Sequence, residues 1–142
     1  MIITDVNVLV YAYRAEAVNH ESYERWLETV ANGDEAFALS GIVLSGFVRV
    51  VTHPSIFRPP SPVDHALGFA EDLLEQPNCV MVRPGPRHWG LFARLCRESG
   101  ARGNLVPDAY LAALAIEAGC ELVTTDRDFA RFQGLRWRHP LT

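Results

Sequence analysis

Four short apolar runs recur along this chain: "MIIT" at its start, "AFALS" at 36–40, "CVMVRP" at 79–84 and "CELVTT" at 120–125. The stretches between them have helical spacing. This alternation constrains the fold more than any other feature. Strands that are apolar at nearly every position are buried on both faces, and helices that alternate with them supply the cover. The pattern predicts an α/β three-layer sandwich around a mainly parallel sheet of four to five strands, the fifth in "LRWRH" at 135–139. A length of 142 residues suits one domain across 1–142 with a substantial core.

The helical stretches can be read in turn. "VNVLVYAYR" is apolar nearly throughout and predicts a buried helix start, with Asn7 at or near its cap. "ESYERWLETVANG" is amphipathic, with Tyr23, Trp26, Leu27 and Val30 on one stripe, and stops at Gly33. "GIVLSGFVRVVTH" fits strand or helix by composition. Its length and the spacing Val43, Phe47, Val50 favour a helix. The proline-rich loop "HPSIFRPPSP" leads to a helix start with Ser61 as cap, Pro62 at the first position and Asp64 where a capping box puts its acid. That helix is expected to reach about Glu75. Further helices are expected in "PRHWGLFARLCRESG", ending at Gly100, in "PDAYLAALAIEAG", opened by Pro107 and closed by Gly119, and in the short "RDFARF".

Composition excludes several classes. All thirteen basic residues are arginine. The acidic-edge folds that place aspartates at strand ends, response-regulator receivers and haloacid-dehalogenase-type phosphatases, normally use a lysine there. A P-loop needs its Gly-Lys-Ser/Thr. The absence of lysine counts against all three. Histidines 20, 53, 65, 88 and 139 show no ligand spacing, and the three cysteines lie in isolated apolar contexts, so neither a zinc site nor a disulfide is expected. No apolar run reaches the length of a membrane span, and "MIITDVNVLV" lacks the basic start of a signal peptide, which leads us to expect a cytoplasmic protein without membrane partners. Charge is uneven. Residues 1–75 carry a net −7 and residues 76–142 a net +3, so the second half can present a basic surface although the chain is acidic.

In a parallel sheet the C-terminal strand ends share one edge, and ligands bind along it. Asp5 ends the first strand, in "IITD". Asp126 ends the fourth, in "VTTD", with Asp128 two residues on. Asp108 sits at a helix start, on the stripe of Leu111, Ala112 and Ala115 that packs inward. Each has an ordinary alternative: Asp5 and Asp126 as helix caps, Asp108 as a complement to the helix dipole, Asp128 as a solvated turn residue. Together, anions on one edge repel and raise one another's pKa. A divalent cation removes that penalty, and carboxylate oxygens suit Mg²⁺ or Mn²⁺. Such a site suits phosphodiester hydrolysis, the metal activating water and stabilising the leaving oxygen.

The segments "DVNVLVYA", "FVRVVTHP", "GNLVPDAYLAALAIEAG" and "TTDRDFARFQGLRW" span nearly the whole chain, in order. In these the chain resembles the PIN-domain ribonucleases, specifically VapC-type toxins of prokaryotic toxin–antitoxin pairs. The resemblance implies an Mg²⁺- or Mn²⁺-dependent endoribonuclease, a homodimer, a VapB-like antitoxin partner and an RNA substrate such as transfer or ribosomal RNA. It assigns Asp5, Asp108 and Asp126 as catalytic metal-site acids, with Asp128 as a further acid. One departure stands out: many members carry a glutamate where this chain has Gly46, which leaves a two-metal mechanism in doubt. A weakened domain that only binds RNA or a partner is the alternative function. A flap-type DNA nuclease would need clamping helices for which there is no room. Arg49, one turn beyond Gly46, is a candidate contact for phosphate or a neutraliser of the acids. The stretch Ile42–Val51 and the loop holding Ile56 and Phe57 are candidates for the antitoxin-binding surface.

Overall fold

The structure, a computed structural model, describes residues 1–142. In chain order the elements are β1 (Ile2–Thr4), α1 (Val6–Tyr13), α2 (His20–Ala31), β2 (Phe37–Ser40), α3 (Gly41–Val51), α4 (Val63–Leu74), β3 (Cys79–Val82), α5 (His88–Ser99), α6 (Leu105–Ala118), β4 (Glu121–Val123), a short 3₁₀ helix (Arg127–Arg131) and β5 (Trp137–Arg138). All five expected strands are present. They form one sheet in the order β3-β2-β1-β4-β5, and every pairing is parallel.

The apolar runs explain which strands lie inside. Ile3, Phe37, Ala38, Leu39, Leu122 and Val123 are fully buried, as the central strands of a sheet covered on both faces must be. The edge strand β3 is more open, with Val80 41% exposed. Helix α6 is buried at Ala109 and continuously from Leu111 to Ala115. Its small side chains allow close approach to the sheet. Helix α3 buries Val43, Phe47 and Val51. Val51 completes the buried set, and Val50, expected inward, is half-buried against the core; positions i+7 and i+8 both lie on the inward arc of a helix.

Local chemistry moves three of the expected boundaries. The cap of α1 is Asp5, whose Oδ1 accepts from the Val6 N–H at 2.7 Å; Asn7 lies inside the helix, exposed. Helix α6 begins at Leu105, two residues before Pro107. A proline is tolerated there because the first-turn N–H groups have no intrahelical acceptor. Pro62, not Ser61, is the cap position of α4, and no side chain caps it. The Ser61 hydroxyl instead accepts from Arg14 Nη1 at 2.7 Å. Arg14 also donates to the Pro59 carbonyl at 3.0 Å, pairs with Glu16 and lies 4.3 Å above the Phe57 ring. The proline-rich loop is thereby pinned to the end of α1. No helix is long and apolar enough to cross a membrane.

Candidate active site

The order β3-β2-β1-β4-β5 puts the first strand between β2 and a strand formed 119 residues later. A topological switch point arises between β1 and β4, where the connections leave to opposite sides and a crevice opens outside the strand ends. The register pairs Thr4 with Val123, so Asp5 and Thr124 are the next residues along that edge. The Asp5 N–H donates to the Val123 carbonyl at 3.0 Å, which extends the pairing by one bond.

Asp5 is buried, 7% exposed. Its Oδ1 is used in capping α1, and its Oδ2 accepts from the Thr124 hydroxyl at 2.7 Å. The Thr124 Oγ1 in turn accepts from the Asp126 N–H at 3.0 Å. Asp126 caps the 3₁₀ helix, its Oδ1 accepting from the Asp128 N–H at 2.8 Å. The ordinary roles thus hold for Asp5 and Asp126: both are caps. A carboxylate has about four lone-pair sites, so capping leaves capacity for a cation. Asp128 is exposed, 3.8 Å from Arg131, a separation at which a solvated pair contributes little.

Asp108 stands in the first turn of α6. Burial raises its carboxyl pKa to about 6, and the charges of Asp5, Asp126 and Asp128 push the same way. The Asp5 pKa is raised too, by burial first and by Asp126 last, against the lowering bonds from Thr124 and Val6. The fold therefore brings all four sequence-predicted acids within electrostatic reach of one another. No arginine is among the groups acting on Asp5 or Asp108. Arg49 is exposed, so its suggested role as neutraliser of these acids has no support here.

No three carboxylate, imidazole or thiolate groups are already arranged to enclose an ion. The donors at the edge are all carboxylate oxygens, and their mutual repulsion is unrelieved. That set fits a hard, hydrated cation. Mg²⁺ commonly keeps several waters and is held through one or two carboxylates. It does not fit a soft or dry site.

Sequence reasoning missed Thr124. The signal was the shared threonine-aspartate ending of "IITD" and "VTTD". The residue that ties the acids is two before Asp126, not the one adjacent to it. Thr4, its apparent counterpart, is fully buried with its hydroxyl unpartnered. The place expected for a family acid, Gly46, is filled by a neighbour: a Cβ there would lie 2.9 Å from Val6 Cγ2.

The antitoxin surface also changes. Phe57 is half-buried under Arg14, and the Ile42–Val51 stretch turns its apolar face into the core. Ile56 remains exposed at 51%, joined by Val63 at 54%, Leu67 at 41% and Leu74 at 37%. The last three fall within roughly 40° of one another around α4 at 100° per residue.

A layered α/β fold with acids at its switch point is compatible with a nuclease, and likeness to known proteins gives the family. The family model of the PIN domain matches residues 2–135; the chain belongs to the PIN-domain family. Within it, the chain is 46% identical over 141 residues to ribonuclease VapC43 of Mycobacterium tuberculosis, covering 99% of this chain and 96% of that one. It is 41% identical over 140 residues to ribonuclease VapC25 of the same species, covering 99% of each. Among solved structures, VapBC2 from Rickettsia felis, bound to a DNA fragment from their promoter, shares the fold with a TM-score of 0.71 at 22% identity, covering 98% of each chain.

Proposed function

We propose that this protein is a divalent-metal-dependent endoribonuclease, a single PIN domain acting as the toxin of a toxin–antitoxin pair in the cytoplasm. The observation that carries this is the raised Asp108 carboxyl, pushed to about 6 at a place where Asp5, Asp126 and Asp128 add their charge. A carboxylate held against its own ionisation by burial first, and then by three neighbouring acids, suits a site completed by a cation. Identity with VapC ribonucleases over nearly the whole chain supports the reaction and its substrate class.

Asp5, Asp108 and Asp126 would hold Mg²⁺ or Mn²⁺, with Asp128 at the exposed margin. Such an ion, when bound, supplies Lewis-acid activation of water and neutralises charge on the leaving oxygen. The chain's own part is positioning. Thr124 and the Val6 N–H fix the Asp5 carboxylate from both sides, and the 3₁₀ helix fixes Asp126. Fixed oxygens lose little freedom on taking up an ion.

The partners are RNA and a VapB-like antitoxin, and the protein is a homodimer. Ile56 with Val63 and Leu67 of α4 supplies the exposed apolar surface on which the antitoxin docks. Ile56→Asp should weaken antitoxin capture at least tenfold and leave RNA cleavage intact. Purified protein incubated with total RNA in Mg²⁺, Mn²⁺ or EDTA, followed by sequencing of new ends, tests the enzymatic reading. Defined ends that appear with metal and vanish in EDTA and in Asp126→Asn support it. RNA that is bound but uncut in every condition would show a binding module instead, the function suggested by the missing acid at Gly46.

A further inference from the structure

Beside Asp126 the sheet edge opens into a cavity of about 570 Å³ walled by Thr125, Arg127, Trp137, Arg138, His139 and Thr142. Thr125 and Arg127 flank Asp126 in the chain, so the cavity starts within one residue of the acids. The β4–β5 register pairs Val123 with Arg138. His139 is then the next residue opposite Thr124, whose hydroxyl binds Asp5. The cavity and the acids share one continuous edge.

Its walls differ in how firmly they are held. Arg138 is engaged, its Nε donating to Glu121 at 2.8 Å. His139 Nδ1 accepts from the Leu141 N–H at 3.1 Å. Trp137 is half-buried and packs against the core, which makes its indole a fixed platform. Arg127 is exposed and takes part in none of the ion pairs. No carboxylate lines the cavity, and Trp137 is its one apolar wall. An amphipathic partner helix would need a row of apolar anchors, which these walls do not offer. A free guanidinium beside a fixed aromatic face is instead the pairing that binds single-stranded nucleic acid, cation to phosphate and ring to base.

We infer that this cavity is the subsite for the nucleotide adjoining the scissile phosphate, with Arg127 on its phosphate and Trp137 stacked on its base. The inference rests on the ribonuclease reading above and adds the residues that choose the flanking base.

The test uses the full-length protein and fluorescein-labelled single-stranded oligoribonucleotides in EDTA, so that binding is measured without cleavage. Affinity is followed by anisotropy across a salt series. Arg127→Ala, an exposed change, should weaken binding several-fold and reduce the slope of log affinity against log salt by about 0.7, one phosphate's share on a single strand. Trp137→Leu should weaken binding about tenfold with the slope unchanged, and Trp137→Tyr should restore most of it. In the cleavage assay, Trp137→Leu should also flatten the base preference next to the cut. Thermal melts confirm that each variant is folded; if Trp137→Leu is not, Arg127→Ala and Trp137→Tyr decide. Wild-type affinity and slope in Arg127→Ala would overturn the subsite while leaving the ribonuclease reading in place. Loss of antitoxin binding with RNA binding intact would overturn it in favour of a protein surface. A wild type that neither binds nor cuts RNA would overturn both.

Discussion

At the residue scale, Asp108 carries the most information. Its carboxyl is raised from an ordinary 3.8 to about 6, so between those values the folded protein holds a proton that the unfolded chain has lost. Stability falls with rising pH wherever the native state binds more protons. In metal-free protein this contribution is therefore present near pH 4, declines as pH rises through about 6 and stays lost at pH 7. Asp108→Asn should remove that decline. We expect its metal-free melting temperature at pH 7 to exceed the wild type's by about 3 °C, corresponding to about 1 kcal/mol once solvent screening of a half-buried carboxylate is allowed for. Mn²⁺ should raise the wild-type melting temperature by binding the folded state and have little effect on Asp108→Asn. Melting curves at pH 4, 5, 6 and 7, with and without Mn²⁺, measure both. An Asn variant that keeps the wild-type Mn²⁺ response would remove Asp108 from the site. Asp5 and Asp126 were legible in sequence because strand-ending aspartates in a parallel sheet have only one edge to occupy, and Asp108 because it lies on the packed stripe of a helix start. Thr124 was not, because whether a strand-end hydroxyl turns toward its own chain or a neighbour depends on a register that spacing does not state.

At the scale of elements, the long periodic segments were readable and their ends were not. The spacing Val43, Phe47, Val50 predicts the α3 helix, and the helix forms with the first two buried and Val50 half-buried. Ser61 looked like a cap because the local pattern matched. A distant arginine, Arg14, takes its hydroxyl instead, a tertiary contact that no window of sequence contains. Gly46 is the same kind of case. Its lack of a side chain lets α3 approach the first turn of α1, where Val6 Cγ2 would stand 2.9 Å from a Cβ. Overpacking of this kind costs roughly 1–3 kcal/mol, against a helix-propensity gain of about 0.5–1 kcal/mol for replacing glycine. Gly46→Glu should thus be destabilised by about 1 kcal/mol net, with or without metal. Adding Val6→Ala should recover most of the loss, because it removes the atom in the way. In that double variant the new carboxylate has room against residue 6, the chain neighbour of Asp5, and cleavage should need less Mn²⁺ than in wild type. Thermal melts of the two single variants and the double variant give the coupling. An additive double variant would show that Val6 is not what keeps position 46 small.

At the scale of the whole molecule, the site exists because two distant parts of the chain are held edge to edge. β1 is made from the first residues and β4 from residues beyond 120, and the switch point between them is a property of strand order alone. One side-chain bond closes it: the Thr124 hydroxyl donates to Asp5 Oδ2 at 2.7 Å across a separation of 119 residues, while accepting from the Asp126 N–H. The bond is to a buried charged group, a class whose loss costs roughly 1.5–3 kcal/mol. Thr124→Val keeps shape and removes both functions of the hydroxyl. It should lower the melting temperature by about 6 °C, and cleavage should fall at least tenfold because Asp5 and Asp126 are no longer fixed relative to each other. Thr124→Ser keeps the hydroxyl and loses a methyl group. It should give up about 1 kcal/mol of packing yet retain most of the cleavage rate. The comparison separates positioning from bulk: if cleavage in the two variants tracks stability alone, the hydroxyl only supports the fold. If Ser cleaves well and Val does not at a temperature where both are folded, the bond from β4 to β1 is what holds the acids in working register.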